Sequence, residues 1–208
     1  MTIPHRTKAW ATGALVLAAV SACSRGTSDP ADPTTSPAVT ASSPTAPETS
    51  ASPTSPTDAA TSSATQTVGS YVSTIDEIAQ RSADLKMLNK VTTGSELTAE
   101  RRFLKHQRSR GERQVGSTRI SQLKVQSVNL DNSAPAAGKV PTVVVDVCWD
   151  VSKVDVLDKS GKSIVSASRP DMGWTRYTVA NYHYAADPSG GWRVASGQDL
   201  EQSPCAAS

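Results

Sequence analysis

Apolar residues recur at three- and four-residue steps from Val68 through Tyr71, Val72, Ile75, Ile78 and Ala79, with Asp76, Glu77 and Gln80 outside the stripe, and predict an amphipathic helix. A shorter helical piece is expected over 84–90, where Leu85 and Leu88 share a face, and Gly94 ends the connection. Ser95 is placed to cap a third helix with Glu96 and Glu100 at its positive end and Leu97, Phe103 and Leu104 turned inward; it fades near Gly111. After Gly116 the period becomes alternating. Leu123 and Val125 differ in parity from Val128 and Leu130, so a single strand from Ile120 to Leu130 needs a bulge near Gln126. The clearest strand runs from Thr142 to Val151, with Val143, Val145, Val147, Trp149 and Val151 on one face and Asp146, Cys148 and Asp150 on the other. Lys159-Ser160-Gly161-Lys162 supplies a turn, so 154–157 and 163–167 form a small hairpin. A long strand over 174–185, a loop over 187–191 and a closing strand over 192–196 complete the pattern. Helices followed by an antiparallel meander is an α+β order.

Composition divides the chain. Residues 24–67 are almost wholly Ser, Thr, Ala and Pro, with seven prolines and no aromatic residue, and cannot bury enough apolar surface to offset their ordering entropy. A disordered linker over 23–67 is therefore expected, either a plain spacer or a carrier of O-linked sugars, and the folded domain is placed at 68–208, long enough for a single core. That domain holds 18 Lys and Arg against 15 Asp and Glu, a balance too mild to imply nucleic acid or a polybasic membrane patch.

The N-terminus reads as an address. His5, Arg6 and Lys8 precede an apolar run from Ala9 to Val20, too short to cross ~30 Å of hydrocarbon as a helix. Val20-Ser21-Ala22-Cys23 resembles the bacterial lipobox, which implies a signal peptide over 1–22, a diacylglyceryl group on Cys23 and anchorage at the outer face of the cell membrane. An ordinary secretory signal cut after Ala22 is the alternative. With Cys23 acylated, Cys148 and Cys205 are the two thiols left in an oxidising compartment, and a disulfide is their simplest state. No histidine or second cysteine stands at ligand spacing near either, so no metal site is expected.

The succession Val147-Cys148-Trp149-Asp150-Val151-Ser152-Lys153-Val154-Asp155-Val156 with Asp158-Lys159-Ser160-Gly161-Lys162, then Tyr177-Thr178-Val179, Gly191-Trp192-Arg193-Val194 and Pro204-Cys205, resembles the secreted lipoproteins of high-GC Gram-positive bacteria. The resemblance implies a nuclear transport factor 2-like domain, in which N-terminal helices pack into the concave face of a strongly curved antiparallel sheet and leave a pocket. It also implies a C-terminal clasp by Cys148 and Cys205. The helical part matches less well, because many relatives carry cysteines there that this chain lacks.

Enzymes on that fold place an Asp and a His, or a Tyr and an Asp, inside the cone for acid–base work. The candidates here are Asp146 and His183, the latter sharing strand parity with Tyr177 and Val179. With the valine face lining the cone, Asp146 points away, and a solvated carboxylate and a surface histidine are the simpler identities. His106, amid Arg101, Arg102, Lys105 and Arg108, reads as part of a solvated helix face that could meet an anionic wall polymer. The aromatic residues Trp149, Trp174, Trp192, Tyr177, Tyr182 and Tyr184 read as sheet core, with a minority free to line a ligand site. There is no Gly-x-Ser-x-Gly elbow, Cys-x-x-Cys, His-Glu-x-x-His or phosphate-cradling glycine loop. The expectation is a lipid-anchored, non-enzymatic module, with no cofactor and no assigned catalytic residue, that binds a small apolar ligand, a cell-wall component or an envelope protein. A pocket-type isomerase or hydrolase of small hydrophobic molecules is the alternative.

Overall fold

The first helix, α1, spans Pro56–Ala79 and so begins well before the stripe that predicts it. Ser55 caps it, its hydroxyl accepting from the Asp58 amide at 3.1 Å; Pro56 presets the backbone of the first turn, and Asp58 stands at the positive end of the dipole. Ala60 and Ala64, both buried, carry the contact line of Val68, Tyr71 and Ile78 downward. The linker expected as far as Thr67 is thereby corrected, because residues 56–67 are helix. The computed structural model describes residues 55–201 and 205; the expected signal peptide, Cys23 and the linker up to residue 54 lie outside the described residues.

A 3₁₀ turn over Leu85–Met87, capped by the Asp84 carboxylate on the Lys86 amide at 2.7 Å, leads into α2 (Leu88–Val91). The third helix, α3, spans Gly94–Ser109. Thr93 holds its N-cap position, and Ser95, expected as the cap, instead donates to the Ala195 carbonyl at 3.2 Å, tying the helix to the sheet. Leu104 packs with Ile78 and Leu88 as expected. Phe103 does not turn into the core: it is 56% exposed. Arg108 leaves the solvated face expected for it and donates to the Ile78 and Ala83 carbonyls at 3.1 and 2.7 Å, a cation at the negative end of α1.

Among the described residues six strands follow: β1 (Arg113–Val115), β2 (Arg119–Asn129), β3 (Thr142–Asp150), β4 (Asp155–Leu157), β5 (Met172–Asn181) and β6 (Trp192–Leu200). The main sheet has the antiparallel order β2-β3-β5-β6. In β2 the register shifts between Val125 and Ser127, the bulge that the parity change requires, and again between Ile120 and Gln122. β4 does not form the expected hairpin with 163–167. It pairs with β1, Arg113 opposite Leu157 and Val115 opposite Asp155, and only an isolated bridge joins Leu157 to Ser163. Gly116 permits this pairing, since its φ is 74° and a Cβ there would collide with the Lys153 carbonyl.

The long strand also stops early. Asn181, fully buried, accepts from the His183 amide at 2.9 Å and donates to the Asp187 carbonyl at 2.7 Å, which folds 182–186 into a turn and ends β5. His183 is therefore exposed on that turn rather than on a strand, and Tyr182, expected among the sheet core, is 49% exposed.

Val143, Val145 and Val147 lie on one face of β3 and pack with Val68, Tyr71, Tyr177, Val179 and Val194. This is the main core, built where α1 meets the sheet. The other face is covered as well: Cys148 is disulfide-bonded to Cys205, Cα to Cα 6.1 Å, and Trp174 packs beside the pair. The fold is α+β, helices followed by an antiparallel sheet.

Candidate functional site

Two glycines shape one end of the helix-covered face. Gly173 stands opposite Trp149, and a Cβ there would lie 2.8 Å from the indole Cζ2, so the ring crosses β5 only because that side chain is missing. The indole Nε1 then donates to Thr175 Oγ1 at 2.9 Å, and Thr175 donates to Asp199 at 2.8 Å, which fixes the ring. Gly197 gives Tyr177 the same freedom: a Cβ would lie 2.9 Å from Tyr177 Cε1 and 3.2 Å from Glu96 Oε2.

Between these rings and the helices lies a cleft of ≈ 390 Å³. Val72 and Ile75 of α1, Phe103 of α3 and Val147 and Trp149 of β3 give it an apolar wall. Its polar groups come from Tyr71, Asp76, Glu100, Thr118 and Tyr177. Volume and lining fall within the range of small-molecule sites, in which an apolar surface carries a few placed polar groups.

Electrostatics distinguish the deep wall from the rim. The Tyr71 hydroxyl lies 2.6 Å from Glu96 Oε1 and 3.1 Å from Glu100 Oε1, so one phenol proton serves two carboxyl groups on successive turns of α3. Burial, then the neighbouring Tyr177 and both glutamates, drive the Tyr71 phenol far above its ordinary value and keep it a donor. Burial likewise raises Tyr177, with Glu96 and Glu100 adding to the effect. Burial raises the Glu100 carboxyl too; the bond from Tyr71 partly opposes this and the charge of Glu96 adds to it. The Tyr71 and Tyr177 rings meet edge to face at 5.4 Å. Asp76, expected on the solvent side of α1, is buried and accepts from Gln114 Nε2 at 2.6 Å, the Thr118 amide at 2.7 Å and the Thr118 hydroxyl at 2.9 Å.

The residues singled out from sequence fall elsewhere. Asp146 lies on the far face of β3 and is not a solvated carboxylate; it is buried and held bidentately by Arg176 at 2.6 and 2.8 Å. His183 stands on the turn after β5, and His106 is exposed on α3. Neither the Asp146–His183 pair nor His106 lines the cleft. Among the described residues no group of three His, Cys, Asp or Glu could hold a metal ion. The residues that do line it, Tyr71 and Glu100 above all, look from sequence like a core stripe and a helix-dipole partner. One signal points further: two like charges four residues apart on a helix repel, and Glu96 and Glu100 at that spacing are eased by a shared partner.

No family model and no curated protein matches the chain. Among solved structures, the intermembrane-space region of the chloroplast protein ARC6 is similar at 17% identity, covering 67% of this chain and 95% of that one, with a TM-score of 0.46. A likeness of that size carries no argument about function.

Proposed function

We propose that the chain is an extracytoplasmic lipoprotein, anchored in the cell membrane through acylated Cys23, whose α+β domain is a binding module for a small molecule. The observation that carries this reading is the ≈ 390 Å³ cleft, an apolar wall with Glu100 and two phenols set into it. The leader pattern supports the address, and a Cys148–Cys205 disulfide fits an oxidising compartment. Helices covering one face of an antiparallel sheet, with a cleft between them, support the finer fold, a nuclear transport factor 2-like cone. In this reading the domain's partners are the membrane, through the lipid, and the ligand in the cleft; a wall component or envelope protein is the other class of partner.

A pocket-type isomerase or hydrolase is the second reading. It rests on Glu100, whose carboxyl burial raises above its ordinary value and which stands 3.1 Å from the Tyr71 hydroxyl, an arrangement suited to proton transfer. Native mass spectrometry of protein extracted gently from membranes tests the first reading. An acylated chain with a retained small molecule is expected, and Ile75→Trp, which fills the cleft, should remove that molecule. A retained molecule unaffected by Ile75→Trp would mean that the cleft is not its site. Conversion of the released compound by added protein would favour the enzyme.

A further inference from the structure

The lining of the cleft has a charge that the proposed function leaves unused. Asp76 and Glu100 reach it, and none of its lining residues is Lys, Arg or His. Among the described residues the ion pairs join Arg110 to Glu112, Arg119 to Asp150, Arg169 to Asp171 and Arg176 to Asp146, so Asp76, Glu96 and Glu100 have no cationic partner. The first of these is compensated otherwise, because Gln114 and Thr118 give it three donors. Among the described residues Glu100 has a single hydrogen-bond contact, with Tyr71 at 3.1 Å, and Tyr71 is bound more closely to Glu96. A carboxylate taken from water without a counter-charge is destabilising, and an amide or apolar side chain would avoid the penalty.

The rings supply a second and independent observation. Tyr71, Phe103, Trp149 and Tyr177 all line the same space. Trp149 is fixed by its bond to Thr175, and the two tyrosines by their edge contact. Ring faces attract organic cations by their quadrupoles, most strongly in a water-poor site. We infer that the cleft selects an organic cation, an amine or quaternary ammonium group with apolar substituents, seated among these four rings with Glu100 as its counter-charge. This rests on the reading of the cleft as a small-molecule site. A neutral apolar ligand would leave Glu100 uncompensated, and an anion would be repelled by it. The half-exposed Phe103 stands on α3, close in sequence to Glu100, and serves as the outer ring.

The test uses the full chain in nonionic detergent and two probes of one shape, benzyltrimethylammonium and its uncharged carbon isostere neopentylbenzene. Equilibrium dialysis measures free probe on each side, so that partition into micelles is corrected. The cation should bind ~10-fold or more tightly than the isostere. Glu100→Gln should abolish most of that preference. Phe103→Ala, on the exposed rim and outside the buried core clusters, should weaken the cation more than the isostere. Equal or tighter binding of neopentylbenzene would overturn the cation inference and leave the small-molecule reading standing. Binding of neither probe would also overturn it, and the proposed function would then be judged by the retained molecule and the Ile75→Trp variant.

Discussion

At the scale of single residues, Glu100 and Asp150 are carboxyl groups displaced in opposite directions. Burial lifts the folded-state value of Glu100 above its unfolded one, with Glu96 adding and Tyr71 opposing; Tyr177 and Asp76 also face the cleft. A group shifted upward favours the fold while protonated, and that contribution is lost as pH rises through the folded value. Glu100→Gln should therefore raise the melting temperature at neutral pH and give no gain in acid below the carboxylate range. A melting series across pH checks this, and equal curves at neutral pH would show that the carboxyl is not strained by its site. Asp150 is held at about 2, first by Ser152 and then by Arg119, whose guanidinium lies 2.8 Å away. Here the sign reverses: stability is gained above the ordinary carboxylate value and lost as pH falls toward 2. Asp150→Asn should flatten the acid limb of the same series.

Among the elements, α1 shows what a low-complexity composition conceals. Ala60 and Ala64 are contact residues, yet in a tract of Ser, Thr, Ala and Pro a small apolar side chain raises no periodic signal. The cap went unread inside the expected linker, although Ser55-Pro56-Thr57-Asp58 places a hydroxyl, a first-turn proline and an acid at the spacing of a helix start. Removing it by Ser55→Ala should cost about 1 kcal/mol, measured by denaturant unfolding. A chain beginning at Val68 should be weakened further, because it also lacks the two buried alanines; unfolding identical to that of the longer chain would contradict their role in the core. Strand β3 and the bulge at Gln126 were legible because both follow from side-chain parity, a local property. The pairing of β4 with β1 was not, because a turn sequence says that the chain reverses and not which strand it meets. The end of β5 depends on Asn181 bonding across the turn to His183 and Asp187, and alternation of apolar residues carries no trace of such bonds. For the same reason the cleft was hidden: Tyr71 and Glu100 stand on different helices, and sequence spacing relates only residues of one.

For the molecule as a whole, the Cys148–Cys205 link joins the central strand to a residue 57 positions on. Closing a loop of that length should stabilise the fold by about 4 kcal/mol on the chain-entropy argument. Cys205→Ser should lower stability by an amount of that order, and wild type in reductant should follow it; an unchanged unfolding midpoint would mean that Trp174 and its neighbours hold the strand ends unaided. Under the proposed function this domain lies outside the cell, on a lipid at Cys23, with its acidic aromatic cleft open to a small molecule. The most direct test is the native mass of the protein drawn from membranes into nonionic detergent. The proposed function requires a chain that begins at acylated Cys23, carries one disulfide and holds a small molecule that leaves on mild activation. A chain recovered from the soluble fraction with Met1 and its leader intact, the sulfur of Cys23 unmodified and nothing bound would contradict it.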